Sequence, residues 1–216
     1  MTEFDLSHTD QLLMTTKQVR KRLDFERAVP RDVLLDCIDV ASRAPMGSNV
    51  ERNKWIIVED RDLIAQIGEL YLRNAAPYLA QNTAVRSTDR GARVVDSASY
   101  LAERMGEVPA MVIPIRLDRV EDQGVEHQAG WWGSVLPGVW SFQLALRSRG
   151  LGSCWTTLHL GYERESAEIL GIPETVTQCC LLPVGYYTGD SFTPAPRRPA
   201  AEITFIDGWG NKAVDG

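Results

Sequence analysis

One short stretch combines residue types that suit a bound ligand. It reads Gly150-Leu151-Gly152-Ser153-Cys154-Trp155-Thr156-Thr157-Leu158. The two glycines permit a sharp turn and a close backbone approach, and hydroxyl groups and an indole follow them into a predicted strand. Backbone that approaches a flat object, with those groups beside it, suits a planar ligand. A helix C-cap that leads into an ordinary buried strand has the same residues, so this stretch alone leaves both interpretations open.

Two basic clusters are candidates for phosphate binding. Lys17 and Arg20 are three residues apart and share a helix face if the helix predicted over residues 12–19 persists. Arg197 and Arg198 follow a proline-rich run near the other end of the chain. A phosphate needs several convergent donors, and guanidinium groups meet its oxygens in bidentate fashion. The two clusters therefore fit one phosphate, although two solvated charged surfaces have the same residue types.

A third stretch, Ala44-Pro45-Met46-Gly47-Ser48-Asn49, is predicted to form a loop between a helix and a strand. Its small residues and the amide of Asn49 suit the placement of N–H groups against a heteroaromatic ring. An asparagine-containing turn without any ligand is the alternative.

Taken in order, these stretches resemble the nitroreductase family of FMN-dependent oxidoreductases. The similar motifs are Thr16-Lys17-Gln18-Val19-Arg20 for the family's Arg-Arg-Ser-Val-Arg, residues 44–49 for Ala-Pro-Ser-x-x-Asn, residues 150–155 for Gly-Leu-Gly-x-x-Trp, and Arg197-Arg198-Pro199 for Arg-x-Pro. The resemblance spans about residues 12–199. Each motif is weak singly, but the ordered combination is fairly specific.

The resemblance implies FMN at the interface of an intertwined homodimer. It assigns the phosphate and ribityl chain to Lys17, Arg20 and Arg197, with Arg198 as a lesser candidate, and the ribityl or ring edge to Gln18. It assigns one side of the isoalloxazine to Pro45, Met46, Gly47 and Asn49 of the partner subunit. It assigns the opposite ring edge to Trp155, Thr156, Thr157 and Leu158, with a backbone N–H near the hydride-accepting nitrogen.

Four residues depart from the family pattern. Gln18 replaces a serine and Met46 replaces a small polar residue, while Glu51 and Asn53 stand where glutamine and tryptophan are common. These changes affect the expected substrate more than the expected cofactor.

The activity implied by the resemblance is a ping-pong reaction. NAD(P)H passes a hydride to the flavin, and a small-molecule acceptor such as a nitroaromatic or quinone is then reduced. Because the flavin carries the chemistry, no catalytic side chain and no metal site is expected. The alternatives are reductive dehalogenation or flavin breakdown with residues 82–93 as a lid, and flavin storage without turnover. The sequence does not choose between NADH and NADPH.

Composition sets broader expectations. The 216 residues, 44% of them hydrophobic, favour a single domain over residues 1–216. A net charge of −6 argues against a dedicated nucleic-acid binder. No apolar run is long enough to span a membrane, and the N-terminus is unlike a signal peptide. Four cysteines in apolar contexts are expected to be reduced core residues of a cytoplasmic protein, namely Cys37, Cys154, Cys179 and Cys180.

Hydrophobic periodicity predicts an α+β fold, with a central mixed or antiparallel sheet sandwiched by helices. Helices are predicted over residues 12–19, from Pro30, from a cap at Asp60 to a bend or stop at Pro77, and over 94–105, 129–149 and 164–170. Strands are predicted over residues 55–58, 109–117 and 176–187, and directly after Gly150. Helix 129–149 is apolar nearly all round, which predicts burial in the centre or at a subunit contact. Trp131 and Trp132 on this helix either flank the substrate or pack in the core or at the dimer contact.

Overall fold

The computed structural model describes residues 4–81 and 87–213. They form two compact units, of which the larger is Thr16–Asp190 and the smaller combines the segments on either side of it. The single domain predicted over residues 1–216 stays a prediction. Every helix in the described ranges is too short or too polar to traverse a lipid bilayer.

The larger unit contains an antiparallel sheet, in agreement with the predicted fold class. Its strands are β1 (Asn53–Val58), β2 (Ala110–Arg116), β3 (Leu151–Ser153), β4 (Thr177–Gln178) and β5 (Leu182–Tyr186). The spatial order is β1-β2-β5-β3, and β4 pairs with the end of β2. β1 lies at one edge of the sheet and β3 at the other.

The single strand predicted over residues 176–187 is wrong, because it divides into β4 and β5. Ile115 pairs with Gln178 but Val112 pairs with Leu182, so one extra residue lies between the two pairings. An extra residue of this kind forms a bulge that redirects the backbone. At this bulge the backbone of Leu181 forms two hydrogen bonds with Thr156 and none with β2.

Six helices lie in the described part of the chain. They are α1 (Leu6–Thr15), α2 (Arg31–Ala41), α3 (Arg61–Gln81), α4 (Asp89–Glu103), α5 (Val125–Ser148) and α6 (Glu163–Leu170). α2 and α5 pack on each other, and their apolar faces join the sheet in the main core. Phe142 of α5 is fully buried there, with its ring 5.1 Å from that of Trp55 on β1. The helix 129–149, predicted to be central, thus has a buried core face.

Several helix boundaries differ from the predictions for local reasons. Asp60 caps α3 as expected, since its Oδ1 accepts the N–H groups of Asp62 and Leu63 at 3.0 Å. α3 then continues through Pro77 instead of stopping there. α4 begins five residues earlier than predicted because the Thr88 hydroxyl caps it, accepting the N–H of Gly91 at 3.1 Å. The first five residues of the proposed lid, 82–86, lie outside the described residues.

The first helix is displaced from its prediction. α1 ends at Thr15 within the smaller unit, and residues 16–19 are not helical. Val19 donates its backbone N–H to the Ser153 carbonyl of β3 at 2.8 Å, so this segment follows the edge of the sheet. The prediction that Lys17 and Arg20 share a helix face is therefore wrong.

Candidate functional site

The basic segment 16–20 lies against β3 because Gly152 has no side chain. A Cβ built on Gly152 would lie 2.9 Å from Cβ and Cγ2 of Val19, which is closer than real Cβ atoms approach. The sequence suggested that this glycine admits a flat ligand, but the group it admits in the structure is Val19. This packing still forms a candidate site, because it brings Lys17, Gln18 and Arg20 beside the residues that follow β3.

Gln18 bonds directly to that stretch. Its side-chain Oε1 accepts the backbone N–H of Trp155. The next residue, Thr156, donates its N–H to the Leu181 carbonyl at 3.0 Å and its hydroxyl to the same oxygen at 2.7 Å. Two of the four motifs recognised in the sequence are thereby joined, and the backbone after β3 is fixed from both sides.

These hydrogen bonds determine which backbone N–H groups of residues 155–158 are available to a ligand. The strand predicted after Gly150 ends at Ser153, and a 3-10 helix occupies Leu158–Tyr162. Trp155 and Thr156 have protein acceptors for their N–H groups, whereas Thr157 is exposed at the start of the 3-10 helix. The first N–H groups of a helix have no acceptor within it, so Thr157 and Leu158 are the better placed donors for a ligand.

Arg20 is half-buried beside two groups from the core. Burial raises the pKa of Cys154 to about 11, and the charge and hydrogen bond of Arg20 only partly oppose that rise. Burial likewise raises the pKa of Tyr71 on α3 to about 12, again with Arg20 opposing. Arg20 is thus held among buried groups, and the Cys154 thiol stays protonated at neutral pH. All four cysteines are buried and free, as expected for reduced core residues.

The loop of residues 44–49 is fixed to α5 on its other side. Gly47 donates its N–H to the Ser134 hydroxyl at 2.9 Å, and that hydroxyl donates to the Gly130 carbonyl at 2.7 Å. Ser48 and Asn49 both adopt left-handed backbone conformations, with φ of 54° and 53°. Such conformations are strained for residues other than glycine and are often found at functional sites. Pro45 and Asn49 are exposed, and Met46 is half-buried.

Asn53 extends this attachment towards a charged network. Its Nδ2 donates to the Ser134 carbonyl at 2.7 Å, and its Oδ1 accepts from Arg116 at 3.2 Å. Asn53 stands where tryptophan is common in the family, and here it connects β1, β2 and α5. Ser134 was not among the predicted site residues. The sequence indicates it only as a hydroxyl residue within an otherwise largely apolar helix.

Two clefts flank the loop. The first, of about 340 Å³, is mainly apolar and lies between α2, α5 and strands β1 and β2. The loop residues Ala44 and Met46 line it, together with Trp55 and Glu51. The second cleft, of about 380 Å³, is lined by Gly47 and Ser48 of the loop and by the charged network. Ser134 lines both clefts, so the loop separates a largely apolar space from a charged one.

Asp118 is the centre of the charged network. Its Oδ2 accepts from Arg52 at 2.6 Å, while its Oδ1 accepts from Arg116 at 2.8 Å and from the Trp131 indole at 2.6 Å. Burial opposes ionisation of this carboxyl, but the hydrogen bonds from Arg52 and Trp131 and the charge of Arg116 outweigh it and lower the pKa of Asp118. The ring of Trp131 is buried and lies edge-on to Trp132 at 4.6 Å. Trp131 therefore has a packing role and also borders the second cleft.

The remaining predicted site residues belong to the smaller unit. Arg197 and Arg198 are both exposed, and Arg197 donates to the neighbouring Pro196 carbonyl at 3.0 Å. Their convergence with Lys17 and Arg20 on one phosphate stays a prediction. Within the described ranges, no group of three or more histidine, cysteine, aspartate or glutamate residues is arranged to hold a metal ion.

The chain is similar to one known protein family and to several solved structures. The model of the nitroreductase family matches residues 15–186. No curated protein matches the chain. A nitroreductase-like family protein from Bacillus cereus is similar in structure, with 19% identity, a TM-score of 0.66 and coverage of 96% of this chain and 100% of that one.

Two further solved structures are similar at comparable levels. An FMN-dependent nitroreductase from Clostridium difficile R20291 has 14% identity and a TM-score of 0.65, covering 93% of this chain and 99% of its own. An iodotyrosine deiodinase bound to FMN and 3-iodo-L-tyrosine has 22% identity and a TM-score of 0.63, covering 89% and 95%. At identities this low, the structural similarity shows a common fold and no more.

Proposed function

This chain belongs to the nitroreductase family, and we propose that it is an FMN-dependent oxidoreductase that uses NAD(P)H to reduce nitroaromatics, quinones or similar electron-poor acceptors. The observation that carries the proposal is the bond between Gln18 and Trp155, which joins the basic segment to the stretch after β3. Two motifs separated by more than a hundred residues thus form one surface. One has cationic side chains and the other has exposed backbone donors.

The residues of this surface fit the parts of FMN. Lys17 and Arg20 supply positive charge for the phosphate, with Arg197 and Arg198 as the further candidates. Arg20 is half-buried among Cys154 and Tyr71, and a cation held in such surroundings interacts strongly with a phosphate. Gln18 is placed for the ribityl chain or the ring edge. When bound, FMN supplies the capacity to accept a hydride from NAD(P)H and to pass it on.

In this proposal the protein's own groups orient the ring, and no side chain acts as a general acid or base. Trp155, Thr156, Thr157 and Leu158 border one ring edge in this proposal, and the exposed Thr157 is the favoured donor. The loop with Pro45, Met46, Gly47 and Asn49 covers the ring from the partner subunit, held by Ser134. The Cys154 thiol is fully buried and protonated at neutral pH, so it does not act as a nucleophile.

A homodimer is part of the proposal because α2 and α5 expose apolar side chains. Leu136 and Trp140, four residues apart on α5, are 41% and 39% exposed, and Leu35 on α2 is 53% exposed. Residues four apart on a helix lie on one face. An apolar face of this kind, on a helix whose other side is buried in the core, is typical of a subunit contact.

The absorption spectrum of the protein as purified, followed by NAD(P)H oxidation, tests the function. We expect a yellow protein that oxidises NADH or NADPH only when menadione or a nitrofuran is present. Colourless protein that does not take up FMN would overturn the proposal. Bound flavin without turnover would indicate storage instead, and turnover confined to a halogenated phenol would indicate a dehalogenase.

The phosphate site has its own variant test. Arg20→Ala and Arg197→Ala should each weaken FMN retention by at least tenfold, because a phosphate loses a charge-assisted hydrogen bond. Arg31→Ala is the matched control, since Arg31 has a 71% exposed side chain that pairs with Glu59 on the surface. If both test variants hold FMN as firmly as the control, the phosphate lies elsewhere.

A further inference from the structure

The second cleft is lined by two arginines, Arg52 and Arg116, and by two carboxylates, Asp118 and Glu126. Arg52 and Arg116 both donate to Asp118, so two guanidinium groups share one carboxylate. Arg116 also donates from Nη1 to Oδ1 of Asn53, which is neutral. The three charged groups of this network therefore sum to one positive unit, and both oxygens of Asp118 already accept hydrogen bonds.

The second carboxylate of the cleft balances this charge formally, but among the described residues it forms no ion pair with either arginine. Glu126 lines the cleft, but its carboxylate turns back to the start of α5, where both oxygens lie 3.1 Å from a Cβ built on Gly124. A negative charge at that position is stabilised by the N-terminal end of the helix dipole. Glu121, a little earlier in the chain, is engaged by Arg119.

The two guanidinium groups are prepared for a ligand in different ways. The Arg116 side chain is only 10% exposed and lies 5.3 Å from the Trp131 ring centre, so it is fixed. The Arg52 side chain is 52% exposed, and among the described residues it donates only from Nη1, to Asp118. Nε and Nη2 of Arg52 therefore remain as a two-pronged donor, the geometry that carboxylates and phosphates match.

The cleft is also in the right place to serve the proposed reaction. Gly47 and Ser48 form part of its wall, and the same loop is proposed to cover the flavin ring. Its volume of about 380 Å³ admits a single ring or a phosphate-bearing group. A ligand held here by an acidic group would extend along the loop.

We propose that the second cleft is an oxyanion subsite, in which Arg52 and Arg116 bind a carboxylate or phosphate group of a substrate. The chemistry is shared by two sources, an acidic aromatic acceptor and the additional phosphate of NADPH. The link to substrate turnover rests on the proposed function, whereas oxyanion binding does not.

Binding is tested on the purified protein with its own reporter. The Trp131 indole N–H donates to Asp118, so its nitrogen–proton NMR resonance responds to changes at this network. We expect a saturable shift with sodium benzoate or inorganic phosphate, but not with sodium chloride at equal ionic strength. Benzoate preferred over phosphate indicates a carboxylate ligand, and the reverse order indicates a phosphate.

Variants separate the subsite from a general salt effect. Arg52→Ala should lower the affinity for the preferred anion at least tenfold. Arg52→Lys keeps the charge but loses the two-pronged donor, so its affinity should lie between those of the parent and Arg52→Ala. Arg31→Ala, another surface arginine paired with a carboxylate, should bind as the parent does. No saturable shift with either anion, or equal binding by the parent and Arg52→Ala, would overturn the proposal.

Kinetics then connect the subsite to the reaction. For a carboxylate ligand, Arg52→Ala should lower the ratio of kcat/KM for 4-nitrobenzoate over nitrobenzene about tenfold, and for a phosphate ligand the ratio of NADPH over NADH. An unchanged pair of ratios would contradict a role in substrate recognition. Complete lack of turnover by the parent would instead count against the proposed function, while the NMR titration would still decide the subsite.

Discussion

Val19 and Gly152 lie in direct contact, with Val19 filling the space that any larger residue at position 152 would need. Val19 also donates its backbone N–H to Ser153, the residue after this glycine, at 2.8 Å. The contact thus sets how closely the basic segment follows β3. Because Lys17, Gln18 and Arg20 are carried by that segment, the packing of one valine on one glycine positions the proposed phosphate site.

We predict that Gly152→Ala is destabilising. The added methyl group meets Val19 at 2.9 Å, and overpacking of this kind typically costs about 1–3 kcal/mol. Thermal unfolding should show a midpoint several degrees lower, and FMN should be held less firmly. Gly130→Ala is the control, since nothing lies within 4 Å of its added methyl group.

A double variant tests the cause. Val19→Ala in the Gly152→Ala background removes the clashing atoms and should recover part of the lost stability. Two strictly additive losses would show that the two residues do not interact as the structure indicates.

Gln18 provides a second prediction. Gln18→Ala should expose the Trp155 N–H to water and increase its hydrogen exchange, because the acceptor is lost. Gln18→Glu retains an acceptor oxygen at the same position and should protect the amide nearly as well as the parent. Amide exchange of Trp155 distinguishes the variants, and equal protection in all three proteins would contradict the bond.

The pattern of the sequence was sufficient for the elements that are defined locally. The cap at Asp60 and the apolar strand 55–58 follow from side-chain type and spacing, and both are present. The end of α1 and the division into β4 and β5 were missed. Each depends on a distant backbone partner, Ser153 for Val19 and Thr156 for Leu181, and local residue preferences contain no information about such partners.

The candidate site shows the same division. Motif order assigned segment 16–20 and the stretch after β3 to one FMN site, which stays a prediction, and the direct bond between Gln18 and Trp155 was not foreseen. Ser134, Arg52 and Asp118 were not selected, because their roles arise only when α5 packs beside the loop and the ends of β1 and β2. Gly152 was selected, but its reason is the approach of Val19, which a spacing argument cannot distinguish from the approach of a ligand.

Ser134 is predicted to control the loop. Ser134→Ala removes the acceptor of the Gly47 N–H, so the amides of residues 46–50 should exchange faster and FMN should bind more weakly. Overall stability should change little, since the loop is exposed and alanine favours the helix. Ser148→Ala is the matched control, because that hydroxyl also donates to a carbonyl of α5, at 2.9 Å, but holds no loop. Equal loop exchange in the two variants would refute the attachment.

His159 gives rise to the last prediction, which concerns acid stability. It is 0% exposed in the 3-10 helix Leu158–Tyr162, and within the described chain neither ring nitrogen has a hydrogen-bond partner. Burial lowers the pKa of His159 to about 4 from its usual 6.5. The unfolded chain therefore binds a proton below about pH 6.5 that the folded chain does not bind until about pH 4. The contribution of neutral His159 to the free energy of unfolding is fully present above about pH 6.5 and decreases as the pH falls from there to about pH 4.

By this linkage the loss at pH 5 relative to pH 8 is about 2 kcal/mol from His159 alone. His159→Leu should remove that part of the pH dependence and, since it also removes an unpartnered buried polar group, should not destabilise the protein at pH 8 by more than about 1 kcal/mol. His127→Leu alters an exposed histidine and should keep the parent's pH profile. Urea unfolding between pH 5 and 8 measures all three proteins. A parent and a His159→Leu variant with parallel profiles would mean that His159 gains a proton as readily when folded as when unfolded, contrary to its burial.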